Sequence, residues 1–310
     1  MSMNSILENN LLKVEVSSFG AELQSITSKA SGYEYLWQGD PAFWKRRSPV
    51  LFPIVGALWN GVFRIDGREY KMEQHGFARD MEFKPVADAP EDELLYVLES
   101  TPETLEQFPR PFRLEIGYAL YETRITVKWR VVNTGPEELC FQIGAHPAFN
   151  LPGFDASQPV RGYFAFDATD LITEIIGWNG CVGDVGAYVK LDDVGMLPIK
   201  ADTFSRDALI FGNSKVHRVS LLDSRRSPVV TLLFSSPYVG LWAPKPDAPF
   251  VCIEPWYGRA DSVGFGGDFS RRRAVNRLAP GEAFTASYMI LIDNLLHLFL
   301  VNIKPTIGKQ

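Results

Sequence analysis

The stretch that decides the fold is Leu114-Glu115-Ile116-Gly117-Tyr118-Ala119-Leu120-Tyr121-Glu122-Thr123-Arg124-Ile125-Thr126-Val127-Lys128-Trp129-Arg130-Val131. Leu114, Ile116, Tyr118 and Leu120 alternate with charged or small residues, and Ile125, Val127, Trp129 and Val131 do the same. A period of two places every second side chain on one face, which is the signature of a half-buried strand. Residues 121–124 form the turn between the two runs, and Asn133-Thr134-Gly135-Pro136 breaks the second. The stretch therefore predicts two antiparallel strands, each with one face dry and one wet.

The same pattern extends in both directions. Leu12, Val14 and Val16 alternate with Lys13 and Glu15, and Leu23 with Ile26 carries a short second segment after Gly20. Phe63-Arg64-Ile65, Asp66-Gly67 and the run to Tyr70 spell a tight hairpin, because the turn needs positive φ at its centre. Residues 140–143 continue the meander towards His146, and residues 216–222, 229–234, 238–242 and 250–253 read as four more strands. Residues 284–292 give the last. Residues 150–205, rich in Gly, Asp and Pro, read as excursions on the sheet rather than a second domain. Helical signals are few: a capping-box spacing from Ser100 to Glu103, stopped by Pro109 and Pro111, and a turn or two at Asp40-Pro41-Ala42-Phe43-Trp44. The expectation is an all-β chain of antiparallel sheets with few short helices, one domain over residues 1–310. The tail at 295–310 fits neither the strand spacing nor a linker.

Composition narrows the function. A net charge of −6 and a pI near 5.4 argue against nucleic acid or an anionic membrane as the main partner. Three cysteines without paired spacing (Cys140, Cys181, Cys252) suit free thiols in a reducing cytoplasm. The first residues lack the basic start and apolar core of a signal peptide, and no apolar run reaches membrane-spanning length. A cytoplasmic protein acting on a small molecule is expected.

Four stretches are dense in functional side chains. Trp44-Lys45-Arg46-Arg47-Ser48-Pro49 leads into an apolar segment, and in Gln74-His75-Gly76-Phe77-Ala78-Arg79 a glycine after the histidine would let backbone approach a ligand. Gly144-Ala145-His146-Pro147-Ala148-Phe149-Asn150 holds an imidazole at a strand end, where it can exchange a proton near neutral pH. Phe250-Val251-Cys252-Ile253-Glu254-Pro255-Trp256-Tyr257-Gly258 ends a buried strand on a carboxylate, which is costly unless paired or used. A strand-end Glu254 and His146 beside aromatic rings suggest an acid–base pair under a flat apolar ligand face, and sugars have such faces.

In order and spacing, Arg47-Ser48-Pro49-Val50-Leu51-Phe52-Pro53-Ile54-Val55-Gly56, His75-Gly76-Phe77-Ala78-Arg79, His146-Pro147-Ala148-Phe149 and Cys252-Ile253-Glu254-Pro255-Trp256 resemble the aldose 1-epimerase (galactose mutarotase) superfamily, and within it the LacX-like branch. The likeness covers roughly residues 10–293. It implies a β-supersandwich and a cofactor-free interconversion of the α and β anomers of a hexose such as galactose or glucose. It also implies Glu254 as the base on the anomeric hydroxyl and His146 as the acid at the ring oxygen. His75, Arg47, Asp207 and Trp256 are the implied sugar contacts. The branch often has arginine where this chain has Ala57, so Arg47 or Arg79 would have to supply that charge. Two alternatives stay open: a 1-epimerase of hexose 6-phosphates, held by arginines, or a sugar-binding protein or sensor without turnover. A metal held by His75, His146 and Glu254 is disfavoured, because the three lie far apart in sequence with no i, i+4 pair. His217 is expected on a wet strand face, and His297 in the tail is expected to have no catalytic part.

Overall fold

A computed structural model describes residues 3–90 and 92–293 of the chain. The hairpin predicted at its centre is present as Phe112–Tyr121 and Arg124–Asn133, in register from Arg124 opposite Tyr121 to Asn133 opposite Phe112. These two strands sit inside a nine-stranded antiparallel sheet. Glu93–Glu99 and Lys84–Pro85 lie on one side, and Ala283–Ile292, Pro228–Phe234, Arg218–Leu222, Tyr163–Phe166 and Met196–Pro198 on the other. A second large sheet runs Val182–Tyr188, Ile172–Ile176, Leu209–Phe211, Tyr238–Trp242, Phe250–Tyr257, Ile143–Ala145, Val50–Leu51, with Ala148–Asn150 added against Phe250–Tyr257. A three-stranded sheet, Asn4–Glu8, Leu12–Ser17 and Leu23–Ser28, completes the main architecture.

The two large sheets meet through side chains each can bury on one face. Trp129 and Phe284, from the nine-stranded sheet, lie edge-on to Tyr257 of the other at 6.3 and 5.1 Å between ring centroids. Val127, Val131 and Ile290 belong to the same buried cluster as Val251 and Ile253. The all-β expectation, with antiparallel sheets and few short helices, is what the chain adopts.

Several local expectations shift. The capping box forms one residue later than Ser100 and Glu103, between Thr101 and Thr104, and the helix runs Pro102–Gln107. Pro102 fixes the φ suited to the first helical position, so the residue before it must be the cap. Asp40 to Trp44 makes a single turn and no helix: the Phe43 and Trp44 amides donate to the Asp40 carbonyl, and the Asp40 carboxylate takes the Ala42 amide. The chain leaves that turn because the Trp44 carbonyl is taken by the Trp37 indole and the Arg47 amide by Glu22. Residues 140–143 do not continue one meander. Leu139–Phe141 pairs with Asn276–Leu278, whereas Ile143–Ala145 joins the second large sheet. The switch occurs at buried Gln142, whose amide accepts from Val55 N–H and donates to the Arg259 and Arg273 carbonyls. Val216 and His217 precede the strand Arg218–Leu222, and His217 is exposed, its amide held by Asp167. The Asp66-Gly67 turn forms as expected, with positive φ at both residues. Residues 150–205 supply outer strands to both large sheets. The tail from 295 to 310, with His297, lies outside the described residues. No helix among the described residues is long and apolar enough to cross a membrane.

Candidate active site

Phe250–Tyr257 is the strand that builds the site, and it is buried on both faces for seven of its eight residues. Cys252, Glu254 and Trp256 alternate onto one face. The neighbouring strand Tyr238–Trp242 places Gly240 opposite Glu254, and Ile143–Ala145 places Gly144 opposite Trp256. Both glycines exist for Trp256. A Cβ at Gly240 would lie 2.5 Å from the indole and one at Gly144 would lie 2.6 Å from it. With no side chain there, the indole lies flat against the sheet and the Glu254 carboxyl is left at a cavity floor.

That cavity, about 270 Å³, is lined by Trp44, Gln74, His75, Arg79, His146, Asp207, Trp242, Glu254 and Trp256 among others. Pro147 and the short strand Ala148–Asn150, paired with Phe250–Tyr257, bring His146 over the glutamate: His146 Nε2 lies 3.2 Å from Glu254 Oε2. His146 is 7% exposed and Glu254 1%. Trp44 covers the imidazole at 4.7 Å between ring centroids, and Trp242 and His75 meet it edge-on at 5.4 and 5.5 Å.

Burial dominates the electrostatics. It pushes the His146 imidazolium down to about 3, with the Arg79 and Arg46 charges adding to the effect against a smaller opposing backbone interaction. It pushes the Glu254 carboxyl well above its usual range, helped by Asp207, while the nearby Trp256 indole N–H opposes the rise without closing a hydrogen bond. Each group alone therefore disfavours its charge. The 3.2 Å contact acts the other way, because carboxylate and imidazolium formed together are a neutral pair. One proton held between the two would leave the pair neutral overall.

His75 has a different task. Its Nδ1 accepts from the Gly56 amide at 3.1 Å while its own amide donates to the Gly56 carbonyl. Burial, then the neighbouring His146, Arg79 and Arg46, keep it neutral. A neutral ring accepting at Nδ1 carries its proton at Nε2, so His75 offers a donor there; the Gln74 amide beside it at 3.2 Å can accept that proton only with its oxygen turned to the ring. Gly76 does not approach a ligand as its sequence suggested. It packs against the backbone of Phe52, where a Cβ would lie 2.2 Å from the carbonyl oxygen.

The other expected contacts divide. Asp207 lines the cavity from a positive-φ turn, with Oδ1 accepting the Ala208 amide. Arg47 does not line it. Its guanidinium donates to the Gln24 carbonyl, and its backbone is fixed by Glu22. Arg79 does line it, with its guanidinium donating to the Gln74 carbonyl at 2.6 Å and its buried Nε 3.6 Å from the Asp80 carboxylate, with no hydrogen bond. Ala57 is buried beside this region and carries no charge into it. Trp44 and Trp242 escaped the sequence reading. The signal for Trp242 was its place at the end of a strand next to that of Glu254; for Trp44 the adjoining basic residues masked it.

Residues 4–264 match the family model described as Aldose 1-epimerase. The chain belongs to the aldose 1-epimerase family. Among curated relatives, the chromosomal protein LacX of Lactococcus lactis subsp. lactis is 29% identical over 297 residues, covering 93% of this chain and 99% of LacX. A galactose mutarotase related enzyme from Lactobacillus acidophilus superposes with a TM-score of 0.86 at 31% identity, covering 94% of this chain and 98% of that one. A galactose mutarotase-like protein from Lactobacillus casei gives 0.88 at 29% identity, with 94% and 100% covered. This epimerase-family chain thus shares its fold, over 94% of its length, with these two solved structures.

Proposed function

We propose that this chain is a cofactor-independent 1-epimerase that interconverts the α and β anomers of a free hexose. The observation that carries the reading is the His146–Glu254 pair, 3.2 Å apart and buried at the floor of a cavity walled by tryptophans. The anomeric hydroxyl and the ring oxygen of a hexose are both bonded to C1. A base and an acid in contact can therefore reach the two oxygens at once. Glu254 as carboxylate takes the proton from the anomeric hydroxyl, and His146 as imidazolium gives one to the ring oxygen, so the C1–O bond of the ring breaks and an aldehyde forms. Rotation about C1–C2 presents the other carbonyl face, and closure returns both protons. The pair's proton count is unchanged over a cycle, as catalysis in both directions requires. His75 Nε2–H and Asp207 offer a donor and an acceptor to further hydroxyls, and Trp44 and Trp242 offer ring faces.

A phosphorylated hexose is the second reading. It is favoured by Arg79 in the cavity wall and by Arg46 close enough to depress both histidines, although Arg46 is tied to Asp80 at 3.0 Å. Anomer exchange followed by NMR on glucose, galactose and their 6-phosphates decides between them. Exchange above the buffer rate on a free hexose supports the first reading, and exchange on a 6-phosphate alone supports the second. Saturable binding with no exchange on any of the four would leave a sugar-binding protein and contradict both.

A further inference from the structure

The side of the Glu254 strand that faces the cavity carries a third group that the proposed proton transfer does not use. Cys252 lies two residues before Glu254 on the same face, opposite Trp242, and is fully buried. His146, Cys252 and Glu254 each bring one ligating atom within 4.8 Å of the others. A further atom of the same set, His146 Nδ1, is buried with no hydrogen-bond partner. A buried polar atom left unmatched is unusual enough to require a cause.

We propose that His146, Cys252 and Glu254 form a zinc site which, when filled, withdraws the proton-carrying pair from catalysis. The consequence for catalysis rests on the epimerase reading; the binding does not. Imidazole, thiolate and carboxylate are all zinc ligands, and the thiolate selects zinc over magnesium or calcium. Zinc–ligand bonds of about 2.0–2.3 Å place tetrahedral ligand atoms roughly 3.3–3.8 Å apart, so the set closes with side-chain movements of about 1 Å. The charge also balances: one thiolate and one carboxylate offset the dication in a site where uncompensated charge is costly. Burial and the Glu254 carboxylate hold the thiol protonated while the metal is absent. Coordination forms one bond each to sulfur, oxygen and nitrogen and releases two protons to solvent, one from the thiol and one from the His146–Glu254 pair. The charged and titratable groups facing the trio are Asp207, His75, Arg79 and Arg46. Asp207 favours the cation and the arginines oppose it. Two of the three ligands, His146 and Glu254, line the cavity, so sugar and zinc compete for the same side chains.

Cobalt is the probe for binding, because a thiolate bound to Co²⁺ gives a charge-transfer band in the near ultraviolet. The full chain without sugar is titrated with Co²⁺, then with Zn²⁺ and Mg²⁺. The expected result is one Co²⁺ per chain, a band removed by Zn²⁺ and not by Mg²⁺, and no band in Cys252→Ala. The variant Cys140→Ala/Cys181→Ala, which keeps Cys252, should retain the band. Zinc should slow anomer exchange in the wild type, and Cys252→Ala should weaken that effect at least about tenfold, since even the loss of an outer-shell partner costs about 10–100-fold in metal affinity. No thiolate band in the wild type, or a band that survives Cys252→Ala, overturns the site whether or not the chain epimerises sugars. A band with undiminished exchange at saturating zinc, in a chain shown to be active, overturns the inhibitory role alone.

Discussion

The hairpin Phe112–Asn133 and the strand Phe250–Tyr257 use the same alternating geometry for opposite ends. In the hairpin, buried residues such as Leu114, Ile116, Val127 and Trp129 alternate with partly exposed Arg113, Glu115, Thr126 and Lys128. Its wet face pairs charges across strands, as in Lys128 with Glu93 and Arg113 with Glu99. In Phe250–Tyr257 both faces are dry, so the carboxyl of Glu254 has no water to share. A charge on the hairpin rests where it is cheap. The charge on the other strand is in a place where only a partner or a task explains it. The hairpin organises the sheet, and the Glu254 strand holds a buried carboxyl against His146.

This contrast can be broken from both sides. The largest effect is expected at His146→Asn, which should slow anomer exchange by about 10²–10⁴-fold while leaving the circular dichroism spectrum unchanged, because it removes the proposed general acid and little packing. Trp129→Ala should do the reverse. It removes a buried ring that packs on Tyr257 and Tyr288, and should cost about 3–5 kcal/mol in urea unfolding with exchange per folded molecule preserved. A smaller effect should appear in the pH dependence of stability. Burial raises Glu254 above its ordinary 4.5, so its contribution is fully present below that value and is lost as pH rises towards the folded value. Glu254→Gln mimics the protonated form, so its melting temperature should gain on the wild type from about pH 4.5 upwards and match it below. An equal gap at pH 4 and pH 8 would contradict this sign. The smallest effect is Lys128→Ala on the wet face, which breaks an exposed ion pair and should change stability by no more than about 1 kcal/mol.

Much of the fold was legible because alternation reports burial directly. The hairpin and the Asp66-Gly67 turn follow from period two and turn chemistry, and the strands around residues 230, 240 and 253 from short continuous apolar runs. What escaped depends on contacts distant in sequence. Gln142 gives no local sign that the chain changes sheets there, since its partners are Val55, Arg259 and Arg273. Arg47 and Arg79 look alike as motif arginines, yet Glu22 and Gln24 turn one away while the other lines the cavity. Within the candidate site, the pairing of His146 with Glu254 was suggested by two strand ends and a family likeness. The tryptophan walls and the buried thiol beside the pair became visible only when Phe250–Tyr257 was set between its neighbours.

The central claim is that a buried carboxyl and imidazole sharing a proton exchange the anomers of a hexose. Magnetisation exchange between the α and β C1 protons, compared for the wild type and Glu254→Gln at matched folded concentration, tests it most directly. The account predicts catalysed exchange in the wild type and a loss of about 10²–10⁴-fold in the variant. Equal exchange in the two proteins would contradict it.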